Sequence, residues 1–109
     1  MLKIISILFL ILATHCSVAH AGTQSGKIKH LMVRASDGLI LFELENTAAE
    51  KPACATHSYW IIADERSATG KQQLAMLLAA RAGDQTISVS GGNKCTRWVD
   101  GEDVDLIIF

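Results

Sequence analysis

One helix-forming stretch stands among short strand-like segments, and this contrast restricts the fold more than any other feature of the sequence. The stretch KQQLAMLLAARAG at 71–83 is rich in strong helix formers and stops at Gly83. Thr69, followed three residues later by Gln72, has the pattern of a capping box. We therefore predict one α-helix over about 69–82, with a helically spaced stripe made of Leu74, Leu77, Leu78 and Arg81.

Six shorter segments have the composition or the alternation of β-strands. The Asp-Gly pair at 37–38 is a strong hairpin signal, and a second Asp-Gly pair at 100–101 marks a later turn. Between 39 and 45, Ile40, Phe42 and Leu44 share one face. The predicted strands occupy 27–34, 39–45, 55–63, 86–90, 95–99 and 104–109.

The resulting order is β-β-β-α-β-β-β, with short turns on both sides of one helix. Antiparallel strands joined by tight turns are typical of the α+β class, here mostly β. Closure protects sheet edges in so short a chain. We therefore predict a small OB-like Greek-key barrel of five to six antiparallel strands with one helix.

The first 21 residues have the layout of a secretory signal peptide. Lys3 is followed by an apolar run at 4–13, and Ala19-His20-Ala21 is a small-x-small cleavage signal. The run is shorter than the roughly 20 apolar residues that span a bilayer. We expect a leader at 1–21 and one exported domain at 22–109, periplasmic or secreted. Cys16 leaves a lipoprotein as the alternative.

Export also determines the state of the cysteines that remain after the leader is removed. Cys54 and Cys95 lie in an oxidising compartment, where two cysteines in a small domain usually pair. The bridge closes a loop of roughly 40 residues, worth about 4 kcal/mol in the chain-entropy model. A redox-active cysteine is the alternative, although there is no CxxC arrangement.

The stretch CTRWVDGEDVD at 95–105 contains four carboxylates: Asp100, Glu102, Asp103 and Asp105. Its glycine and acidic spacing do not match a calcium loop, and paired catalytic carboxylates usually lie far apart in sequence. We interpret the stretch as a structural turn, with a weak cation site and acid–base catalysis as alternatives. In the strand that follows, Asp103 and Asp105 are expected to face away from Val104, Leu106 and Ile108.

Other signs of chemistry are few. His30 and His57 lack short-range metal-ligand spacing, and neither a GxSxG elbow nor a phosphate loop is present. Ten Lys and Arg against eleven Asp and Glu are interspersed along the chain, which argues against nucleic acid and anionic membranes as partners. We expect no enzymatic activity, no cofactor and no membrane span.

Two groups of side chains indicate binding. Tyr59, Trp60 and Trp98 are candidates for a ligand surface, because aromatic faces can stack on sugar rings. The alternative is that the two tryptophans pack against the Cys54–Cys95 bridge. The terminal segment 106–109 is apolar on both strand faces, and a small domain has little to cover two faces. We therefore expect a homo-oligomer with an interface formed by Leu106, Ile107 and Phe109.

Several short motifs occur in a shared order with those of one family. They are Gly-x-Ile at 26–28, Cys-Ala at 54–55 shortly before Trp60, a helix followed by a glycine turn and a strand at 83–89, and Cys-Thr at 95–96. In this order the chain resembles the B subunits of subtilase-cytotoxin-like and typhoid-toxin-like AB5 toxins. The resemblance implies an OB-type barrel, a ring of five and recognition of cell-surface glycans, together with a separate enzymatic subunit.

These observations lead to one expected function and two alternatives. The chain is expected to be an exported, non-enzymatic binding subunit that is oligomeric and takes a glycan or protein ligand. The first alternative is a monomeric periplasmic inhibitor or accessory protein. The second is a small metal-binding or hydrolytic protein that uses His57 and the acidic turn.

Overall fold

The computed structural model describes residues 20–109, so most of the predicted leader, 1–19, lies outside the described residues. The described chain is α+β and mostly strand, with five strands and one helix. This confirms the predicted class. The elements are β1 (Thr23–Val33), β2 (Ile40–Leu44), β3 (Trp60–Ile61), α1 (Ala68–Ala82), β4 (Thr86–Gly91) and β5 (Glu102–Ile108).

The long strand β1 joins the two ends of the sheet. Its first half pairs with β4 and its second half with β2, and a bulge near Lys29 bends the strand between the two partners. β2 continues to β3, and β5 lies between β3 and β4. The strand order is therefore β1-β2-β3-β5-β4, and it returns to β1.

Two details of the strands differ from the prediction. The pairing is not antiparallel throughout, because β3 and β5 run parallel after the crossover through α1. The predicted strand at 95–99 is absent from the described chain, and this segment forms a loop. The backbone N–H groups of Thr96 and Arg97 donate to the side chain of Asp103 instead of to a neighbouring strand.

A second bulge changes which residues of β5 face inward. The register shifts where Ser90 pairs with Leu106 but Gly91 pairs with Val104, which leaves Asp105 as an extra residue. Val104 is therefore buried, whereas Leu106 and Ile108 are exposed. This corrects the predicted strict alternation, in which all three shared one face.

The helix has nearly the predicted bounds but a different cap and a different buried face. Its N-cap is Ser67, not Thr69, and the Ser67 hydroxyl accepts from the N–H of Gly70. The buried positions are Gly70, Gln73, Leu77 and Ala80, while Leu78 is exposed. A Cβ on Gly70 would lie 1.9 Å from the carbonyl oxygen of Asp64, so glycine allows this close approach.

The core lies between the helix and the inner faces of the strands. Phe42, Trp60, Ile62 and Leu77 are among its most buried members, and the predicted inward face of β2 is confirmed. The predicted disulfide between Cys54 and Cys95 is also confirmed, with the two Cα atoms 6.1 Å apart. Among residues 20–109, no helix combines the length and the apolar character needed to cross a membrane.

Candidate functional site

The turn between β1 and β2 meets the loop between β4 and β5 at one end of the sheet. The guanidinium of Arg34 lies over the ring of Trp98, 4.2 Å from its centroid, and donates two hydrogen bonds to Asp37. The disulfide holds the same loop against the segment that precedes β3. We call this region the loop cluster; its members are Arg34, Asp37, His57, Tyr59, Glu65, Arg97, Trp98 and Asp100.

Arg97 connects the two sides of the loop cluster through charge. Its Nη2 lies 2.8 Å from a Glu65 oxygen and its Nη1 lies 3.4 Å from an Asp37 oxygen. Hydrogen bonding to Glu65 raises the pKa of Arg97, and the same bond lowers the pKa of Glu65. Hydrogen bonding from Arg34 lowers the pKa of Asp37. The charged groups in this part of the cluster thus bind one another.

Tyr59 is held in place on several sides. Its hydroxyl donates to Asp100, and its ring stacks on His57 with a centroid distance of 5.3 Å. His57 Nε2 also lies 3.2 Å from an Asp100 oxygen. Burial, followed by the bond to Asp100, raises the pKa of Tyr59. The phenol therefore remains protonated at neutral pH, which suits its role as the donor to Asp100.

The three aromatic candidates are divided between surface and core. Tyr59 and Trp98 are half-buried members of the loop cluster, so the structure brings these two together. Trp60 is only 2% exposed, and its indole N–H donates to the side chain of Gln24 at 2.8 Å. This corrects the expectation of a ligand surface at Trp60, because its ring packs inside the sheet.

The acidic stretch is built into the fold. Asp103 is buried, and its side chain accepts from Thr96 Oγ1 and from the N–H groups of Thr96 and Arg97. Glu102 is buried as well and accepts from the N–H groups of Gly22 and Asn93. Within residues 20–109, no three His, Cys, Asp or Glu side chains are arranged to hold a metal ion.

A shallow groove lies on the outer side of the pairing between β1 and β4. It encloses about 250 Å³, and its rim comes from the two strands and from the chain after β2. The hydroxyls of Ser25 and Ser88 lie 2.7 Å apart across it. We call this the hydroxyl groove; it is lined by Thr23, Gln24, Ser25, Thr47, Ala49, Ser88, Val89 and Ser90.

The sequence contains part of the signal for the hydroxyl groove. The alternation of TISVS places Ile87 and Val89 inward, which turns Ser88 and Ser90 outward. The sequence does not show that β1 brings further hydroxyls beside them. That contact comes from pairs such as Thr23 with Ser90, more than 60 residues apart in the chain.

The apolar end of β5 continues from the hydroxyl groove. Ser90 pairs with Leu106 and Ser88 pairs with Ile108, and both apolar side chains are about half exposed. Phe109 is similarly exposed, whereas Ile107 belongs to the core. The expected interface is therefore corrected at Ile107, because this side chain packs inward.

The fold and these surfaces define an α+β domain with a five-stranded sheet, one helix and one disulfide. Comparison of the chain with protein-family models, with curated proteins and with solved structures finds no match.

Proposed function

We propose that the chain is an exported, non-enzymatic binding subunit that recognises glycans through the hydroxyl groove. The observation that carries the proposal is the grouping of five side-chain hydroxyls around one groove on the sheet. Each Ser or Thr hydroxyl can donate once and accept twice, which matches the hydroxyls of a sugar. The five are contributed by Thr23, Ser25, Thr47, Ser88 and Ser90.

The fold proposed for this subunit is a closed OB-type barrel. Its support is the strand order β1-β2-β3-β5-β4, the position of α1 between β3 and β4, and the parallel pairing of β3 with β5. The resemblance to AB5 toxin B subunits agrees with this arrangement. By the same resemblance, the proposed partners are copies of this chain and a separate enzymatic subunit.

Self-association is part of the proposal because a single shallow groove binds weakly. Leu106, Ile108 and Phe109 expose apolar surface beside the groove, and a second copy would remove it from water. A ring repeats the groove around its circumference, so several weak contacts act together on a cell surface.

The loop cluster is the rival location for the same ligand. It contains Tyr59 and Trp98, and its two loops correspond to those that bind ligands in OB-type proteins. The groove is the better candidate because the charged groups of the loop cluster bind one another. A glycan would have to break those ion pairs, whereas the neutral groove hydroxyls can exchange partners at little cost.

The test is a glycan array followed by calorimetry on the exported, disulfide-bonded chain. The array should carry neutral and sialylated oligosaccharides, and the strongest hit is then titrated. We expect the Ser25→Ala, Ser88→Ala double variant to weaken binding by about tenfold, since each neutral hydrogen bond contributes about 0.5–1.5 kcal/mol. Ser36→Ala, which alters a serine in the turn between β1 and β2, is the matched control and should bind as the unaltered chain does.

Two outcomes would contradict the proposal. One is the absence of any bound glycan at millimolar concentration. The other is a loss of binding in Trp98→Ala while the groove variant is unaffected, which would move the site to the loop cluster.

Light scattering tests the assembly separately from the ligand. We expect several times the monomer mass at micromolar concentration, and Leu106→Glu or Ile108→Glu should lower it. Leu78→Glu, an equally exposed apolar position on α1, is the control. A monomer at every concentration would instead favour the monomeric periplasmic inhibitor or accessory protein.

A further inference from the structure

Glu102 is a buried carboxylate whose observed partners are neutral. It is 2% exposed, and its two oxygens lie 3.0 and 3.2 Å from the backbone nitrogen of Gly22. A third bond comes from the N–H of Asn93 at 2.9 Å. Within residues 20–109, the ion pairs include none with Glu102. A buried ionised carboxylate is costly unless a cation is near it.

Two glycines make the space in which this carboxylate sits. A Cβ on Gly91 would lie 1.8 Å from Glu102 Oε2, and a Cβ on Gly22 would lie 2.5 Å from Oε1. The Cβ on Gly22 would also lie 2.4 Å from the carbonyl oxygen of Glu50. Position 22 therefore requires glycine for its nitrogen to reach the carboxylate.

Gly22 is also the residue that directly follows the predicted cleavage signal Ala19-His20-Ala21. The geometry points to Glu102 as the buried binding site for the α-ammonium group that cleavage after Ala21 creates at Gly22. This inference rests on the export that is part of the proposed function, but not on the glycan. Hydrolysis supplies the group: the oxygen of water joins the Ala21 carbonyl carbon, and its two protons end on the Gly22 nitrogen.

Cleavage changes both the charge and the number of donors at this position. The amide N–H of Gly22 is one neutral donor shared by two oxygens, whereas an ammonium group has three donors and a positive charge. An α-amino group has an ordinary pKa of about 7.7–8.0, so it is largely charged at neutral pH. Charge-assisted bonds of this kind are stronger than neutral ones.

The surroundings of Gly22 contain few other charges. Glu50 approaches it through its backbone carbonyl oxygen, while the exposed Glu50 carboxylate lies 3.8 Å from His20, a residue lost with the leader. The Gly22 carbonyl accepts from the N–H of Gly91 at 2.9 Å. An ammonium bound by Glu102 would thus anchor the start of β1 to β4 and β5, and maturation would complete the fold.

The first experiment determines where the exported chain begins. Intact mass and N-terminal sequencing of the chain recovered after export should give Gly22 as the first residue. A first residue at any other position, or a lipid on Cys16, would overturn the inference.

The second experiment measures the effect of the amine on stability. A chain that starts at Gly22 is compared with one that starts at His20. The His20 chain keeps the amide hydrogen bonds between Gly22 and Glu102, but its α-amine lies two residues before Gly22. Binding to Glu102 raises the folded-state pKa of the Gly22 amine. Its stabilisation is therefore complete below about pH 7.7 and is lost as the pH rises through the folded-state value. We expect the Gly22 chain to melt about 4 °C or more above the His20 chain at pH 6.5, and this gap to close by pH 10.

Two variants assign the effect to one carboxylate. Glu102→Gln should remove the gap between the two chains at pH 6.5, whereas Glu50→Gln, at the neighbouring exposed carboxylate that contacts His20, should not narrow it. Equal melting of the Gly22 and His20 chains across the pH range would overturn the inference even if Glu102→Gln fails to fold. Failure to bind glycan together with an intact amine effect would reject the glycan proposal alone.

Discussion

The loop cluster and the hydroxyl groove are both polar surfaces of one small sheet, but they are built in opposite ways. In the loop cluster, Arg97 binds Glu65 and Asp37, and the Cys54–Cys95 bridge holds the loop that carries it. In the groove, the side chains that carry hydroxyls are short and neutral, and four of the five stand on the paired strands β1 and β4. Side chains and the disulfide therefore hold the loop cluster in place, whereas backbone pairing between strands holds the groove.

This difference indicates what each surface can do. Side chains that hold a loop in place cannot change partners without loosening that loop, so the loop cluster is suited to a structural role. Hydroxyls on a strand ladder contribute little to holding the ladder together, so they can bind a ligand without a structural cost. The predictions below test this contrast, beginning with the change expected to have the largest effect.

Removing the disulfide should have the largest effect, and it should fall on the loop cluster. The bridge spans 41 residues, so the Cys54→Ala, Cys95→Ala double variant should lose about 4 kcal/mol of unfolding free energy. Denaturant titration measures the loss. Hydrogen exchange should accelerate most at 93–100, while the β4 amides near the groove change much less. Equal acceleration in both regions would contradict the separation of the two surfaces.

Replacing Asp103 should have the next largest effect. Its carboxylate accepts hydrogen bonds from the loop that a neighbouring strand would otherwise accept. Asp103→Ala leaves the N–H groups of Thr96 and Arg97 without their acceptor, at an expected cost of about 3 kcal/mol. Asp105→Ala is the matched control. Asp105 is the exposed extra residue of the bulge, so its loss should stay within about 0.5 kcal/mol. Similar losses of unfolding free energy in the two variants would show that the burial of Asp103 does not determine its contribution to stability.

The same two aspartates show how far the sequence could predict this molecule. Local patterns correctly indicated the helix, the first hairpin and the inward face of β2, because each depends on near neighbours. The disulfide was indicated by the presence of only two cysteines after the predicted leader. The bulge that separates Asp103 from Asp105 depends on how β5 pairs with β4. Alternation within β5 alone therefore assigned both side chains to one face.

The surfaces were less predictable than the elements for the same reason. Glu102 and Trp60 are buried by the packing of the strands. The N–H of Gly22, 80 residues away, satisfies Glu102, and the side chain of Gln24 satisfies the indole N–H of Trp60. Neither contact leaves a local signal in the sequence. Tyr59 and Trp98 were selected because they are aromatic. The sequence did not show that the disulfide and the loops bring them together at one end of the sheet.

Arg97→Gln should have a smaller effect that depends on pH. The ion pair lowers the pKa of Glu65 below its ordinary value, so its stabilisation is present above that value and is lost as the pH falls through the folded-state pKa. We expect a melting temperature lower by a few degrees at pH 7 and a difference that shrinks below about pH 4. Arg66→Gln, at the neighbouring exposed arginine, is the control; Arg66 acts on Glu65 through charge alone and less strongly than Arg97, so its change in melting temperature should be smaller at both values. A difference for Arg97→Gln that is constant from pH 7 to pH 3 would contradict the ion-pair explanation.

Substitutions of the groove serines should have the smallest effect on stability. The contrast between the groove and the loop cluster depends on this result. In Ser25→Ala and Ser88→Ala, each change removes one side of an exposed hydroxyl pair whose remaining partner can turn to water. The strand ladder that carries both residues is made by backbone groups and is unchanged. Each variant should therefore stay within about 0.5 kcal/mol of the unaltered chain in denaturant titration, while the double variant binds glycan about tenfold more weakly. A loss of 2 kcal/mol or more would mean that the hydroxyls hold β1 to β4, which would give the groove the same structural role as the loop cluster.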